Sequence, residues 1–206
     1  MNNKWNKFIY KIWSPFYDLF FNRGLFLSAR KKVFAEIDLP EGSRVLFVGT
    51  GTGADIEFFD DRTLEITAID YSSDMLQKAR DKFRDSNVEF LQMDAQDLDF
   101  PHGSFDFIVC SLVLSVVPNP LACLQETHRV LRNGGTIFVF DKFSSNQKPS
   151  SISKKILRQV IRILGTDIGL DHTDLLGNMK DELSVEKDEP VMLKGMYRKI
   201  VLMKLK

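Results

Sequence analysis

Gly49, Gly51 and Gly53 stand at alternate positions directly after the apolar run Val45-Leu46-Phe47-Val48, and Asp70 lies 21 residues beyond Gly49. Glycine admits positive φ and lets another group lie against bare backbone. A carboxylate at that separation can accept both hydroxyls of a ribose. Asp94 and the small Ala95 close a further apolar run, Val88–Met93. An acid beside a small residue can accept the exocyclic amine of adenine and leave room for its ring. The chemistry of this set is recognition of an adenosine-bearing ligand. Gly49-Thr50-Gly51-Thr52-Gly53-Ala54 also satisfies the looser fingerprint G-x-G-x-x-A, so the glycines alone leave a dinucleotide, or a bare tight turn, open.

These residues need an alternating frame to hold them. Arg44–Val48 reads as a buried parallel strand, because its residues are almost continuously aliphatic or aromatic. Ala54–Phe59 reads as the first turns of a helix whose free N–H groups and positive dipole end face the ligand. Leu64–Asp70 is a second strand, followed by a helix with Ser72 as N-cap and Asp74 in its first turn. Val88–Met93 and Phe105–Ser111 are the third and fourth strands. A helix from about Leu121 ends in Arg129-Val130-Leu131-Arg132-Asn133-Gly134-Gly135, with basic residues and then glycine at its C-terminus. Thr136–Asp141 is the fifth strand. Leu183–Leu193 and Met196–Leu205, joined by Lys194-Gly195, read as an antiparallel pair.

The chain of 206 residues is 44% hydrophobic and 27% charged, enough apolar content for one domain with appendages. Its net charge is zero, so no global field points to nucleic acid. Charge is uneven, however: residues 1–32 carry seven Lys and Arg against Asp18 alone. The same segment holds Trp5, Phe8, Tyr10, Trp13, Phe16, Tyr17, Phe20 and Phe21, which suits a packed helical lid or a basic, aromatic interfacial helix. Its charges interrupt any signal peptide or membrane span. Ile152–Leu164 reads as a helix with a basic face, and Gly165–His172 as a mobile active-site segment. Cys110 and Cys123 lack metal-ligand spacing and read as buried thiols in a reducing compartment. The three histidines are equally scattered, so no metal site is expected.

Val45–Gly53, Ile69-Asp70, Met93-Asp94-Ala95, Phe105-Asp106 and Arg129–Gly135 resemble, in order and spacing, the small class I S-adenosylmethionine-dependent methyltransferases. The nearest group looks like that of quinone C-methyltransferases and bacterial phospholipid N-methyltransferases. Ser111–Pro118 is similar to the group's segment after strand four, and Tyr17-Asp18 to its N-terminal Tyr-Asp pair. The resemblance implies a three-layer α/β/α Rossmann-like fold, with a seven-stranded, mostly parallel sheet and one antiparallel strand near the edge. It divides the chain into a lid, residues 1–37, and a methyltransferase domain, 38–206, with an insertion at 143–181. It implies S-adenosylmethionine as cofactor, S-adenosylhomocysteine as product, and cofactor contacts from Tyr17, Gly49, Thr50, Gly51, Gly53, Asp70, Tyr71, Met75, Asp94, Ala95, Ser111 and Leu112.

Methyl transfer from a sulfonium asks mainly for positioning and exclusion of water. The expected activity is transfer to a small or lipophilic acceptor, with a phospholipid or quinone at a membrane surface as the narrower reading. Cys110-Ser111-Leu112 is not the Asn/Asp-Pro-Pro-aromatic element of enzymes that methylate bases or amides, which argues against nucleic acid. The chain is expected in the cytoplasm, with peripheral membrane contact open. No catalytic base is assigned: His128 reads as structural, His102 as a turn residue, and His172 as a loop residue. One departure stands out. The family places Asp or Glu two residues before the first glycine, and this chain has Phe47, which leaves a non-catalytic cofactor-binding homologue as the competing reading.

Overall fold

The computed structural model describes residues 24–144 and 170–206. Its elements are α1 (Gly24–Phe34), β1 (Arg44–Val48), a 3₁₀ turn (Ile56–Phe58), β2 (Glu65–Asp70), α2 (Ser73–Lys82), β3 (Glu89–Gln92), β4 (Phe105–Ser111), α3 (Pro120–Val130), β5 (Leu131–Lys142), α4 (His172–Gly177), β6 (Leu183–Met192) and β7 (Tyr197–Lys204). The seven strands form one sheet in the order β3-β2-β1-β4-β5-β7-β6. β1 through β5 pair in parallel, and β7 lies antiparallel to both β5 and β6. The expected seven-stranded sheet with one reversed strand is therefore the observed fold. The order reverses beside β1, so the glycines after β1 open at a switch point, where α/β sheets hold ligands.

Period-two alternation sends successive side chains of each strand to opposite faces. Leu46, Val48, Ile108, Cys110, Ile137, Val139, Ile200 and Leu202 form one core layer with Leu124 and Leu175 of α3 and α4. Val45, Phe47, Ile66, Ala68, Val109 and Phe140 form the other with Val33 and Phe34 of α1 and Leu76 of α2. Cys110 and Cys123 are free and buried, and burial pushes the Cys123 thiol up to about 12.

Two local expectations are corrected. No α-helix follows the glycines: Ala54–Leu64 contains only the 3₁₀ turn Ile56–Phe58, and β2 starts at Glu65. An Asp60-centred turn, closed by Arg62 N–H to Asp60 Oδ1 at 3.1 Å and Thr63 N–H to Asp60 O at 3.2 Å, ends any helical continuation. The second correction concerns Gly134-Gly135, which do not cap α3. Its C-cap is Leu131, in extended conformation, and the chain runs directly into β5. The glycines instead accommodate an irregularity, after which the pairing resumes at Phe107 and Thr136. A Cβ on Gly135 would lie 2.8 Å from Asp106 O and 2.9 Å from Arg132 O, so only glycine fits between two carbonyls.

The chain reverses between β6 and β7 in a tight turn at Leu193–Gly195, whose three residues all take positive φ. The helix expected at Ile152–Leu164, residues 165–169 of the expected mobile segment and the aromatic segment before α1 lie outside the described residues.

Candidate cofactor site

β1 delivers Val48 to a corner in which Gly49, Gly51 and Gly53 have φ of +69°, +57° and +77°. A Cβ on Gly49 would meet Val113 Cγ2 at 2.7 Å, and one on Gly53 would meet Phe83 Cε2 at 2.7 Å. Two of the three glycines are thus required by neighbouring side chains, which holds the corner in shape from both sides. Thr50 N–H reaches Ile69 O at 2.9 Å, and Gly53 N–H reaches Thr50 O at 2.9 Å.

Asp70, at the end of β2, accepts from Gly51 N–H at 2.8 Å through Oδ2 and from Ser72 N–H at 2.8 Å through Oδ1. Burial pushes its carboxyl above the usual range, against the opposing hydrogen bonds from Ser72, Gly51 and Tyr71. Each oxygen keeps further lone-pair capacity, so the carboxylate can hold the corner and still accept a hydroxyl. Ser72 caps α2 as expected, accepting from Met75 N–H at 3.4 Å. Met75 is buried, whereas Tyr71 is exposed. Met93 N–H bonds Asp70 O at 3.1 Å, which places Asp94 next along the same sheet edge. Asp94 Oδ1 accepts from Gln96 N–H at 3.0 Å, and Ala95 is buried behind it.

The stretch after Asp94 is stapled to α3. Arg129 donates to Phe100 O at 2.7 Å and Leu98 O at 2.6 Å, while Glu126 Oε2 accepts from Leu98 N–H at 2.8 Å. This is the physical work of the arginine in the Arg129–Gly135 motif.

β4 ends at Ser111, and Leu112 then takes φ +54°, an unusual value for a leucine, with its N–H bonded to Phe140 O at 2.7 Å. That turn throws Val113 over Gly49. The loop is held from below by Asp141, fully buried at the end of β5, whose Oδ2 accepts from Ser115 N–H at 3.2 Å. Burial pushes the Asp141 carboxyl up, opposed mainly by its hydrogen bonds to Ser115 and Lys142.

Gly49, Thr50, Gly51, Gly53, Asp70, Tyr71, Asp94, Ala95, Ser111 and Leu112 fall at the carboxyl ends of β1 to β4 or in the turns that follow, and Met75 lies in the first turn of α2. Tyr17 lies outside the described residues. Thr50 Oγ1 and Ser111 Oγ are buried with no hydrogen-bond partner. Buried hydroxyls are normally satisfied, so the Thr50 orphan at the corner fits a site that a polar ligand completes.

Phe47 does not face this edge. It is 2% exposed and meets Phe59 edge-to-face at 5.1 Å, with Phe59 in turn against Phe34 of α1 at 5.9 Å. An acidic side chain does lie close to the glycines, at Asp55. It is buried against Arg30 of α1, Nε to Oδ1 2.9 Å, a contact short in distance but outside hydrogen-bond alignment. Asp55 and Asp141 were missed as candidates. The available signals were an acid directly after the glycine run and an acid closing strand five.

His172 is not in a loop. It opens α4 behind the N-cap Asp171, packs on Phe143 at 5.3 Å and contacts Asp188 at 3.3 Å. His128 faces Glu182 at 3.2 Å from within α3, and burial lowers its pKa. His102 sits in an exposed turn. Among the described residues, no three or more His, Cys, Asp or Glu side chains are grouped as a metal site.

A methyltransferase-domain family model matches residues 46–139, the span from β1 to β5 that carries this edge. The phosphatidylethanolamine N-methyltransferase of Cereibacter sphaeroides is 36% identical over 160 residues, 76% of this chain and 77% of that protein. The chain belongs to the S-adenosylmethionine-dependent methyltransferases, and S-adenosylmethionine is its cofactor. The demethylmenaquinone methyltransferase of Staphylococcus saprophyticus is 34% identical over 112 residues, which are 52% of this chain and 48% of that one. The chain spans about half the length of that relative. In structure, a chain of the complex between the Haloferax volcanii Trm112 methyltransferase activator and a methyltransferase has TM-score 0.79 at 18% identity, covering 97% of both chains. The [4+2]-cyclase SpnF has TM-score 0.69 at 19% identity, covering 85% of this chain and 79% of its own. A cyclase on the same frame shows why fold alone does not name a reaction.

Proposed function

We propose that the protein methylates the amino group of a phospholipid headgroup at a membrane surface. One observation carries the choice of acceptor: the relative named for phosphatidylethanolamine aligns over three quarters of both chains, whereas the relative named for demethylmenaquinone aligns over about half. The longer alignment must include residues beyond the cofactor-binding strands, where an acceptor pocket is built.

When bound, the cofactor supplies an electrophilic methyl group on a sulfonium. In this reading Asp70 accepts the ribose hydroxyls, Asp94 and Ala95 receive the adenine, and Tyr71 and Met75 flank it. The corner Gly49–Gly53 and Thr50 hold the methionine end together with Tyr17. Ser111 and Leu112 border the acceptor side, and Val113, pinned over Gly49, helps exclude water. The chain's contribution is to align the amine nitrogen, once its ammonium has released a proton to water, in line with the methyl group, so that the N–C bond forms as the S–C bond breaks and S-adenosylhomocysteine leaves. Residues 1–37 act as an appendage controlling access, anchored through α1, with the basic aromatic stretch before it as the membrane contact. Among the described residues, no helix is long and apolar enough to cross a membrane.

Purified full-length protein, labelled S-adenosylmethionine and phosphatidylethanolamine vesicles should yield labelled monomethylated lipid. Label in demethylmenaquinol but not in lipid would replace the phospholipid reading with the quinone one. A variant lacking residues 1–14 should retain S-adenosylhomocysteine binding but lose co-sedimentation with anionic vesicles. Unchanged sedimentation would remove the membrane role of that segment.

A further inference from the structure

We propose that the buried Arg30–Asp55 pair is a positioning device that sets the shape of the cofactor corner from the N-terminal helix. Arg30 projects from α1 and is 4% exposed, and Asp55, two residues beyond Gly53, is 8% exposed. Their closest atoms are 2.9 Å apart. Burial pushes the Asp55 carboxyl up, opposed by the Arg30 charge and by the Ser111 hydroxyl at the end of β4, which lies beside it without completing an aligned hydrogen bond. One carboxylate thus joins three separate elements: α1, the glycine corner and the end of β4.

A buried ion pair is a poor way to gain stability. Two apolar side chains of similar volume generally do as well or better, because both charges must leave water. What the charges add is direction. An aliphatic side chain at position 55 would pack in many orientations, whereas a carboxylate is drawn to the guanidinium 2.9 Å away. Asp55 is held in right-handed conformation at the N-cap of the 3₁₀ turn with no side-chain cap bond to it. Its oxygens serve the neighbouring elements instead of the turn. The apolar contacts agree, since the Phe34 ring of α1 packs at a tilt against both Phe58 and Phe59 at the far end of the turn. The Lys82–Glu57 pair, 2.9 Å, lies on the more exposed side of the turn. The segment from Gly53 to Phe59 is therefore set by α1, where an ordinary helix would have set it by its own hydrogen bonds. Any shift of α1 is transmitted to the corner's N–H groups and to Ser111.

The test uses full-length Arg30→Met, Asp55→Leu and the double variant, each followed by thermal melting and by calorimetric titration with S-adenosylhomocysteine. Each single change breaks the buried pair and should lower Tm by about 10 °C or more. The double variant should recover most of that loss yet bind S-adenosylhomocysteine at least tenfold more weakly. Recovery of Tm with wild-type affinity would overturn the proposal, leaving the pair purely structural. If the double variant does not fold, Asp55→Asn decides, titrated well below its Tm: binding weakened fivefold or more supports the proposal, and unchanged binding overturns it. Wild-type protein that failed to bind S-adenosylhomocysteine would sink the cofactor assignment instead, a distinguishable result.

Discussion

Phe47→Asp places the family's usual carboxylate back in its sequence position, and the structure predicts that the change is harmful. The phenyl ring is 2% exposed and fills the layer between β1 and α1 against Phe59. Removing a buried Phe side chain costs about 3–5 kcal/mol. The new carboxyl would sit in the core layer of Val33, Phe34, Ile56, Ala68 and Phe140, where loss of water favours its protonated form. Holding a carboxyl of ordinary pKa near 4 neutral at pH 7 costs about 4 kcal/mol. The total, roughly 7–9 kcal/mol, rivals the whole stability of many domains. The sign with pH follows. A folded-state pKa raised above the unfolded value makes the variant lose stability as pH rises. At pH 5 the ionisation cost falls to about 1.4 kcal/mol, so its Tm deficit should shrink by roughly 5–10 °C relative to pH 7. Phe47→Ala, measured alongside, should show the packing loss without the pH dependence. A Phe47→Asp protein that melts like wild type at pH 7 and binds S-adenosylhomocysteine more tightly would refute the argument.

Asp70→Ala and Gly51→Val should each weaken S-adenosylhomocysteine binding at least tenfold by calorimetry, because one removes the acceptor that also holds Gly51 N–H and the other forces a β-branched residue to φ +57°; wild-type affinity in both would discredit the corner as the site. Gly135→Ala should lose about 1–3 kcal/mol in urea unfolding, since its Cβ would press on Leu131 Cδ1 at 2.7 Å and on two backbone carbonyls; a neutral result would contradict that packing. Burial raises the Asp106 carboxyl, but hydrogen bonds from the Arg44 side chain and backbone, with the Arg132 charge, outweigh it and hold the group below its ordinary value. Its stabilisation is therefore present above the unfolded carboxylate pKa and lost in acid as pH falls through the folded one. Asp106→Asn should cost about 1 kcal/mol at pH 7, limited by the exposure of both arginines, and the difference from wild type should close in acid.

The central strands β1, β2 and β4 were legible from residue order because each is a mainly apolar local run. Phe105–Ser111 was bounded as observed, and Leu64–Asp70 and Val88–Met93 differ only at their ends. The ligand edge was legible for a related reason. Gly49, Gly51, Gly53, Asp70 and Asp94 must end consecutive parallel strands, so topology brings them together whatever the packing beneath. What failed depended on contacts distant in sequence. Nothing in Ala54–Phe59 announces that Asp55 is claimed by Arg30, or that the segment therefore makes a single 3₁₀ turn. Gly134-Gly135 look like a helix stop until Asp106 O is seen where a Cβ would stand. His172 resembles a loop residue until Asp188 and Phe143 close around it. Phe47 reads locally as a lost acid, and only the ring of Phe59, brought beside it by the turn and itself packed on Phe34 of α1, shows that its place had become core. Periodicity and spacing are properties of neighbouring residues and survive in one dimension. The identity of the partner that satisfies a buried charge, or fills the space beside a ring, exists only after the chain has folded.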